Sequence, residues 1–404
     1  MNDHPAPGMD SRVVFVQSSR MGHHPRHHYR LAAALRSQGY AAVTMAQPDL
    51  TPGHADAVPM EYLPLRRNRP LRMLSGPATM VRALRSGPAV VHVVCLDMLP
   101  WAVLARWLRR DVVVLYDSNE EYDTFMLIKE WLPRRMRRPL KLLVRWLEPW
   151  LARRLDAATT ALPATHEKFT RAGVRSVLVR NFPPASIIGG QPRREPFDHD
   201  ILIGGTLGQE QIPLLAATAG HLARLRAEPV RWLVVARDAS DADRRLLEES
   251  LTAAGVRESF EIRYDLPFPE MNRVMRASRT AFIPYAADAN YGTRVPIRIF
   301  EYMAAGVPFV AGDLLTTAEF VKGRGVAVIA PAGDALGYAE ALQELLSAPA
   351  RQEEMAARGP GLVRELFNWD VESRKLLSLY EELVGPPVSR SGPPRTSVAD
   401  PPRS

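Results

Sequence analysis

Apolar and polar positions change period repeatedly along this chain. Val13 to Val16, Ala41 to Met45, Ala89 to Val94 and Val112 to Tyr116 are short apolar runs bounded by turn-forming residues. Between them lie segments whose apolar positions recur three and four apart, as at Leu31, Ala34 and Leu35 before Gly39, or along Leu99 to Leu108. Short apolar runs alternating with helical periods predict βαβ units and a doubly wound parallel α/β sheet. Thr51 to Pro70 interrupts the pattern with Pro and Arg, and reads as a loop with a short strand near Tyr62. Asp156 to Leu162 and Arg171 to Asn181 close this first series.

The series resumes after Ala185 to Asp198, a Gly-, Pro- and Arg-bearing stretch that predicts an interdomain linker. Ile201 to Ile203, Trp232 to Ala236, Phe260 to Arg263 and Val326 to Ile329 are further apolar runs, and Ala335 to Leu346 and Ala350 to Phe367 have helical period. Within this half, Ala281 to Asp313 reads AFIPYAADANYGTRVPIRIFEYMAAGVPFVAGD. It predicts a strand, a polar loop at Asn290 to Thr293, a helix from Pro296 to Ala305 and a second strand. Pro at a first helical position, Gly306 at the cap and Pro308 just beyond it mark the helix ends. The loop and the helix N-terminus would stand at the carboxyl end of a parallel strand, where open sheets bind ligands and free N–H groups favour anions. Glu301, one turn into the helix, is either a solvated carboxylate or the acceptor for a pair of sugar or ribose hydroxyls.

A length of 404 residues exceeds one ordinary core and predicts two domains. The boundaries are a leader over 1–10, a first domain over 11–184, the linker over 185–198, a second domain over 199–368, a closing helix over 369–384, and a Pro-, Ser- and Arg-rich tail over 385–404. Leader and tail are expected to be disordered. One cysteine, Cys95, excludes a disulfide framework, and no apolar run is long enough for a signal peptide core or a membrane span. These features predict a cytoplasmic protein.

Net charge is +8, and most of it is local: between Arg134 and Arg154 eight basic residues stand against one acid, Glu148. Elsewhere the charges nearly cancel, which argues against a nucleic-acid binder. The basic stretch Trp131 to Arg154 holds a helical stripe of Leu140, Leu143, Leu147 and Leu151, flanked by Trp146 and Trp150 and punctuated by Pro133, Pro139 and Pro149. The stripe is expected to pack on the sheet, with Pro149 kinking or restarting the helix. The alternative is a peripheral contact with the inner face of an anionic membrane.

Three clusters offer chemistry. His23, His24, His27 and His28 contain i, i+4 pairs of the kind that chelate zinc, but Pro25 lies between them and no cysteine or acid adjoins them, so no metal is expected. Asp117-Ser118-Asn119-Glu120-Glu121-Tyr122 follows an apolar run, with charges suited to a helix N-terminus. Ile201 to Gly208 ends in Gly204-Gly205-Thr206, a glycine turn that lets backbone N–H groups approach a phosphate.

The string VPIRIFEYMAAGVPFVAGD resembles the donor-binding helix of the GT-B-fold retaining glycosyltransferases, in particular glycosyltransferase family four (group 1), through Pro296, Phe300, Glu301, Tyr302, Gly306 and Pro308. The resemblance extends over about residues 12–384 and is looser in the first domain. It implies two Rossmann-like domains facing each other across a cleft, with the final helix crossing back to the first. It also implies metal-independent transfer from a nucleotide-sugar to a hydroxyl acceptor, with retention at the anomeric carbon and with no cofactor. In that family two glutamates stand eight positions apart and the second holds the ribose; Glu301 matches the second, whereas Thr293 occupies the place of the first. Thr206 stands where an arginine is usual, and no lysine occurs between Lys168 and Lys322, so arginine must serve the diphosphate. Arg237 and Arg294 are the leading cations and Arg298 a weaker one.

The same resemblance places Gly205, Thr206, Arg237, Leu266, Asn290, Arg294 and Glu301 around the donor, and Gly22, His23 and His24 on the acceptor side. Asn119, Glu120 and Thr293 are the catalytic candidates, although Asn119 and Val94 stand where family histidines are common. A lipid-linked acceptor would give the basic Trp131 to Arg154 stretch a use, in cell-surface glycan, glycolipid or natural-product synthesis. The departures motivate a second expectation, a glycosyltransferase-like scaffold without transfer activity. A third is a sugar-nucleotide epimerase.

Overall fold

The computed structural model describes residues 11–18, 23–24, 26–48, 56–66, 69–128, 132–184, 196–237, 239–266, 268–286 and 295–387. The expected leader, most of the linker and nearly all of the tail lie outside them. The chain divides into two compact units, one formed by Met1–Val179 with Ser373–Ser404 and the other by Arg180–Glu372.

The first unit holds a parallel sheet of β1 (Arg12–Val16), β2 (Ala41–Ala46), β3 (Met60–Tyr62), β4 (Val90–Val93), β5 (Val113–Ser118), β6 (Ala157–Thr160) and β7 (Ser176–Leu178). Its order is β3-β2-β1-β4-β5-β6-β7, so the winding reverses between β1 and β4. The helices are α1 (Ala33–Ser37), α2 (Arg69–Leu74), α3 (Gly76–Arg85), α4 (Leu99–Leu108), α5 (Tyr122–Ile128), α6 (Arg134–Ala152) and α7 (Pro163–Arg171). The helix expected over His27 to Gln38 starts as a π-helical turn, His27–Ala32, before α1. The loop expected to reach Pro70 instead gives way to α2 at Arg69.

Two differences from the sequence reading matter for function. The strand expected to stop at Tyr116 runs on to Ser118, which puts the buried Asp117 inside the sheet beside Thr159 of β6. The strip expected to pack on the sheet is also divided. Leu143 and Leu147 of α6 are exposed, and its buried face centres on Glu148, Pro149 and Ala152. That face is built around one charge. Glu148 accepts from the Tyr116 and Ser118 hydroxyls at 3.0 and 2.8 Å and pairs with Lys168 at 2.9 Å. The helix runs through Pro139 and Pro149 without a restart.

The second unit holds β8 (His199–Gly205), β9 (Trp232–Ala236), β10 (Phe260–Tyr264), β11 (Ser278–Ile283), β12 (Phe309–Gly312) and β13 (Ala327–Ala330), parallel and in the order β10-β9-β8-β11-β12-β13. Here the winding reverses between β8 and β11. Its helices are α8 (Gln211–Leu225), α9 (Asp241–Ala253), α10 (Phe268–Arg276), α11 (Ile297–Ala305), α12 (Leu315–Val321), α13 (Ala335–Leu346) and α14 (Pro349–Glu365). Pro296 is the N-cap of α11, and Gly306 ends it in the left-handed region at φ 67°. A Cβ at Gly359 would lie 2.5 Å from the Met303 carbonyl oxygen, so glycine is what lets α14 cross α11 so closely. A final helix, α15 (Trp369–Val384), begins in the second unit and from Ser373 onward belongs to the first.

Candidate active site

In open parallel sheets ligands bind beyond the carboxyl ends of the strands where the winding reverses. In the second unit that position is the end of β8. Gly205 has φ 111°, a backbone that side chains rarely adopt, and this turns the chain sharply at the strand end. The turn lies on α11. A Cβ at Gly204 would fall 2.2 Å from Arg298 Nη1, and one at Gly205 would fall 2.0 Å from Arg298 Nη2. The guanidinium thus occupies the space that the two glycines leave open.

Helical spacing explains the rest. Arg298, Glu301 and Tyr302 stand at i, i+3 and i+4 and therefore share one face of α11, while Ile299, Phe300 and Met303 are buried in the core. Tyr302 is buried on that face and its hydroxyl accepts from the Gly204 N–H at 3.1 Å. Burial pushes its pKa up to about 12, so it stays a neutral phenol. Arg298 Nη1 is buried and has no hydrogen-bond partner among the described residues. A buried guanidinium nitrogen without an acceptor is costly and is normally satisfied, so Arg298 Nη1 is a donor with capacity left for an acceptor. Glu301 is half-buried, within a helical turn of that nitrogen.

Arg237 is exposed at the end of β9, where its backbone N–H donates to the Gly205 carbonyl at 3.1 Å. Thr206 is exposed just after the glycine turn. Asp265 follows β10 at φ 50°, and its backbone N–H donates to the Ala236 carbonyl. The Leu266 side chain packs against the core, which leaves its backbone as the part able to meet a ligand. Asn290, Thr293 and Arg294 lie outside the described residues. The structure thus brings Gly205, Thr206, the Arg237 backbone and Arg298 to the end of β8, with Glu301 one turn further along α11.

In the first unit, sequence reasoning passed over the most elaborate arrangement. Asp117 is fully buried at the end of β5 and receives Arg26 through two hydrogen bonds, Nε at 2.8 Å and Nη2 at 2.7 Å. Thr159 donates to the same carboxylate at 2.6 Å, and His27 Nε2 lies 3.0 Å from it. His92 connects Thr159 (3.2 Å) to the Tyr380 hydroxyl (2.8 Å). Burial alone would raise the Asp117 pKa, but Arg26 and His27 outweigh it and hold the carboxyl well below its usual range. Burial takes His92 down to about 3 and also lowers His27 against the opposing pull of Asp117. The legible signal was an ionisable residue inside an apolar strand, as in Val90-Val91-His92-Val93.

Asn119 and Glu120 follow that strand end; Asn119 Oδ1 accepts from the Tyr122 hydroxyl at 3.1 Å, and Glu120 is half-buried. His24 stacks on His27 with ring centroids 4.4 Å apart, and burial, aided by His27, brings its pKa down to about 3. His23 Nε2 lies 2.7 Å from Asp56 Oδ1 and its ring meets His28 edge-on. Gly22 lies outside the described residues. His23, His28 and Asp56 bring their ligand atoms within 4.8 Å of one another. His28 is already engaged, however, with Thr44 at Nδ1 (3.1 Å) and the Ala57 N–H at Nε2 (2.9 Å), so a metal would have to displace a backbone bond.

Residues 25–185 match the glycosyl transferase 4-like domain, and residues 198–348 match the glycosyl transferases group 1 domain. Over 108 residues the chain is 34% identical to the phosphatidyl-myo-inositol mannosyltransferase of Mycobacterium leprae (strain TN), a match covering 27% of this chain and 28% of that protein. Two solved structures share the fold over nearly the full length. Sucrose-phosphate synthase from Thermosynechococcus elongatus has a TM-score of 0.68 at 17% identity, covering 92% of this chain and 98% of that one. Anabaena HepE in complex with UDP and glucose has a TM-score of 0.67 at 14% identity, covering 92% and 100%. With both domain models matched in order and two parallel sheets wound in the same sense, the chain belongs to the GT-B-fold glycosyltransferases of the group 1 type.

Proposed function

We propose that this protein transfers a sugar from a nucleoside-diphosphate sugar to a hydroxyl acceptor, with retention at the anomeric carbon and without a metal. The observation that carries the reading is the unpartnered Arg298 nitrogen against the Gly204–Gly205 turn. The departing diphosphate would take that nitrogen as its partner. Arg298, the turn's backbone N–H groups and the N-terminus of α11 would stabilise charge as it develops on the leaving group, an electrostatic task that needs no proton relay. Arg237, exposed beside the turn, supplies a second cation. Glu301 would accept from the ribose hydroxyls, and the Leu266 backbone would meet the base. From their place in the sequence, Asn290, Thr293 and Arg294 would complete the donor side, Thr293 toward the sugar.

Gly22, His23, His24, Asn119 and Glu120 are proposed for the acceptor side, with Asn119 and Glu120 positioning the attacking hydroxyl. His24, neutral near pH 7, is suited to accept a hydrogen bond from such a hydroxyl. We further propose a lipid-linked acceptor met at the inner membrane face. HepE has been solved with UDP-glucose, which makes UDP-sugars the first donors to test.

Thermal shift with UDP, GDP and ADP, followed by anomeric analysis of any transfer product, tests the proposal. One nucleoside diphosphate should raise the melting temperature, and Glu301→Ala should weaken its binding about tenfold, as for loss of hydrogen bonds to a charged group. No shift with any of them would sink the donor reading. It would favour a scaffold protein, for which Thr206 and Thr293 already stand where the family places charged residues.

A further inference from the structure

The protons of the buried Asp117 cluster can be placed one by one. An ionised carboxylate only accepts, so Arg26, Thr159 Oγ1 and His27 Nε2 all donate to Asp117. Thr159, having donated, accepts from His92 Nε2, and His92 Nδ1 accepts from the Tyr380 hydroxyl. One ring atom of the cluster is left over: His27 Nδ1 is buried and has no hydrogen-bond partner among the described residues. Burial keeps the ring neutral and Nε2 carries its proton, so Nδ1 is a bare lone pair in need of a donor.

Its surroundings point to a ligand. His27 lies in the connection that leaves β1, and Asp117 near the end of β5, so the nitrogen stands on the carboxyl side of the sheet whose winding reverses between β1 and β4. His27 also opens the π-helical turn, in which the Leu31 N–H donates to the Arg26 carbonyl at 2.8 Å, a local distortion that recurs at functional sites. The His24 ring stacks on the face of His27, which leaves the in-plane lone pair of Nδ1 uncovered by that ring. Arg26 and Asp117 cancel in charge, and Arg26 Nη1 is spent on the Val179 carbonyl at 2.7 Å, so neither an anion nor a cation finds a counterion here. What fits a bare nitrogen in neutral surroundings is an uncharged O–H donor. We propose that His27 Nδ1 accepts a hydrogen bond from a hydroxyl of a neutral polyol portion of the acceptor substrate, with Asp117 as the positioning residue that fixes the tautomer.

The inference rests on the acceptor-side part of the function proposed above and deepens it by naming the chemistry met in the first unit. NMR of the full chain carrying nitrogen-labelled histidine tests it, with and without nucleoside diphosphate. His27 should show a protonated Nε2 and a bare Nδ1 near pH 7. Glucose, myo-inositol and glycerol should be titrated in turn; at least one should move the Nδ1 signal, and inorganic phosphate should not. His27→Gln, whose amide can still donate to Asp117, should lose the polyol response and weaken polyol affinity about tenfold, as for one hydrogen bond, while keeping the nucleoside-diphosphate thermal shift. Asp117→Asn should let the proton move to Nδ1 and abolish the response. A protonated Nδ1 in the unaltered chain, a signal that no polyol moves, or one that moves only with phosphate would overturn the proposal. A polyol response without any nucleoside-diphosphate shift keeps this site and removes the transferase; the opposite pattern keeps the donor site and removes this one.

Discussion

Replacing Arg298 by Met keeps the length of the side chain and removes its charge and donors. If the guanidinium awaits a diphosphate, nucleoside-diphosphate affinity should fall by roughly 10- to 100-fold, the range for one charged hydrogen-bonding group. The ligand-free protein should melt no lower than before, because the variant removes a buried nitrogen that has no partner among the described residues. Loss of stability together with unchanged affinity would instead make Arg298 a structural residue. The buried histidines give a second residue-scale expectation. His92 is neutral when folded, with its pKa at about 3, whereas in an unfolded chain it takes up a proton near pH 6.5. Stability is therefore full above that pH and declines as the pH falls toward 3, by about 1.4 kcal/mol per pH unit for this one group. Equal urea midpoints at pH 7 and pH 5 would contradict it. Glu301 stands out in the sequence as a carboxylate in an apolar helix. The weight of Arg298 was not legible there, because nothing in the spacing says that Gly204 and Gly205 of another strand will lie against its guanidinium. The Asp117 cluster was still less so, since Arg26, His92, Thr159 and Tyr380 come from four other segments.

Elements whose ends carry a chemical marker could be read closely. Helix α13 and helix α4 run as the apolar period predicts, and α11 stops at Gly306 for the reason its left-handed backbone supplies. Orientation was harder than extent. In α6 the leucines, tryptophans and prolines are compatible with more than one inward face, and what decides is a salt bridge between Glu148 and Lys168 of α7 that no local period encodes. Glu148→Ala should therefore destabilise the first unit by about 3 kcal/mol, because Lys168, Tyr116 and Ser118 lose a shared acceptor. Glu148→Gln, which keeps an acceptor oxygen, should recover part of this in the same denaturant titration. If both variants unfold at the native midpoint, the buried carboxylate is not what fixes the helix.

On the scale of the whole molecule, alternation of short apolar runs with helical periods was enough to reveal two parallel α/β sheets. The strand order was not in that pattern, because crossover helices rather than neighbouring residues decide which parallel strands pair. The division into units has a mechanical expression at Tyr380, whose hydroxyl meets His92 and whose ring packs edge-on against Tyr40. A chain ending at Glu372 would lose both contacts and the buried Leu376, Leu379 and Leu383. Its first unit should lose amide-exchange protection while strands β8 to β13 keep theirs.

The route of α15 also bears on how the protein is made. The first unit begins the chain yet is completed by residues from Ser373 onward, so the whole of the second unit leaves the ribosome before the first can close. Its sheet must wait through that interval with the His92 side of its core uncovered, and is the part of the nascent protein most in need of chaperone protection.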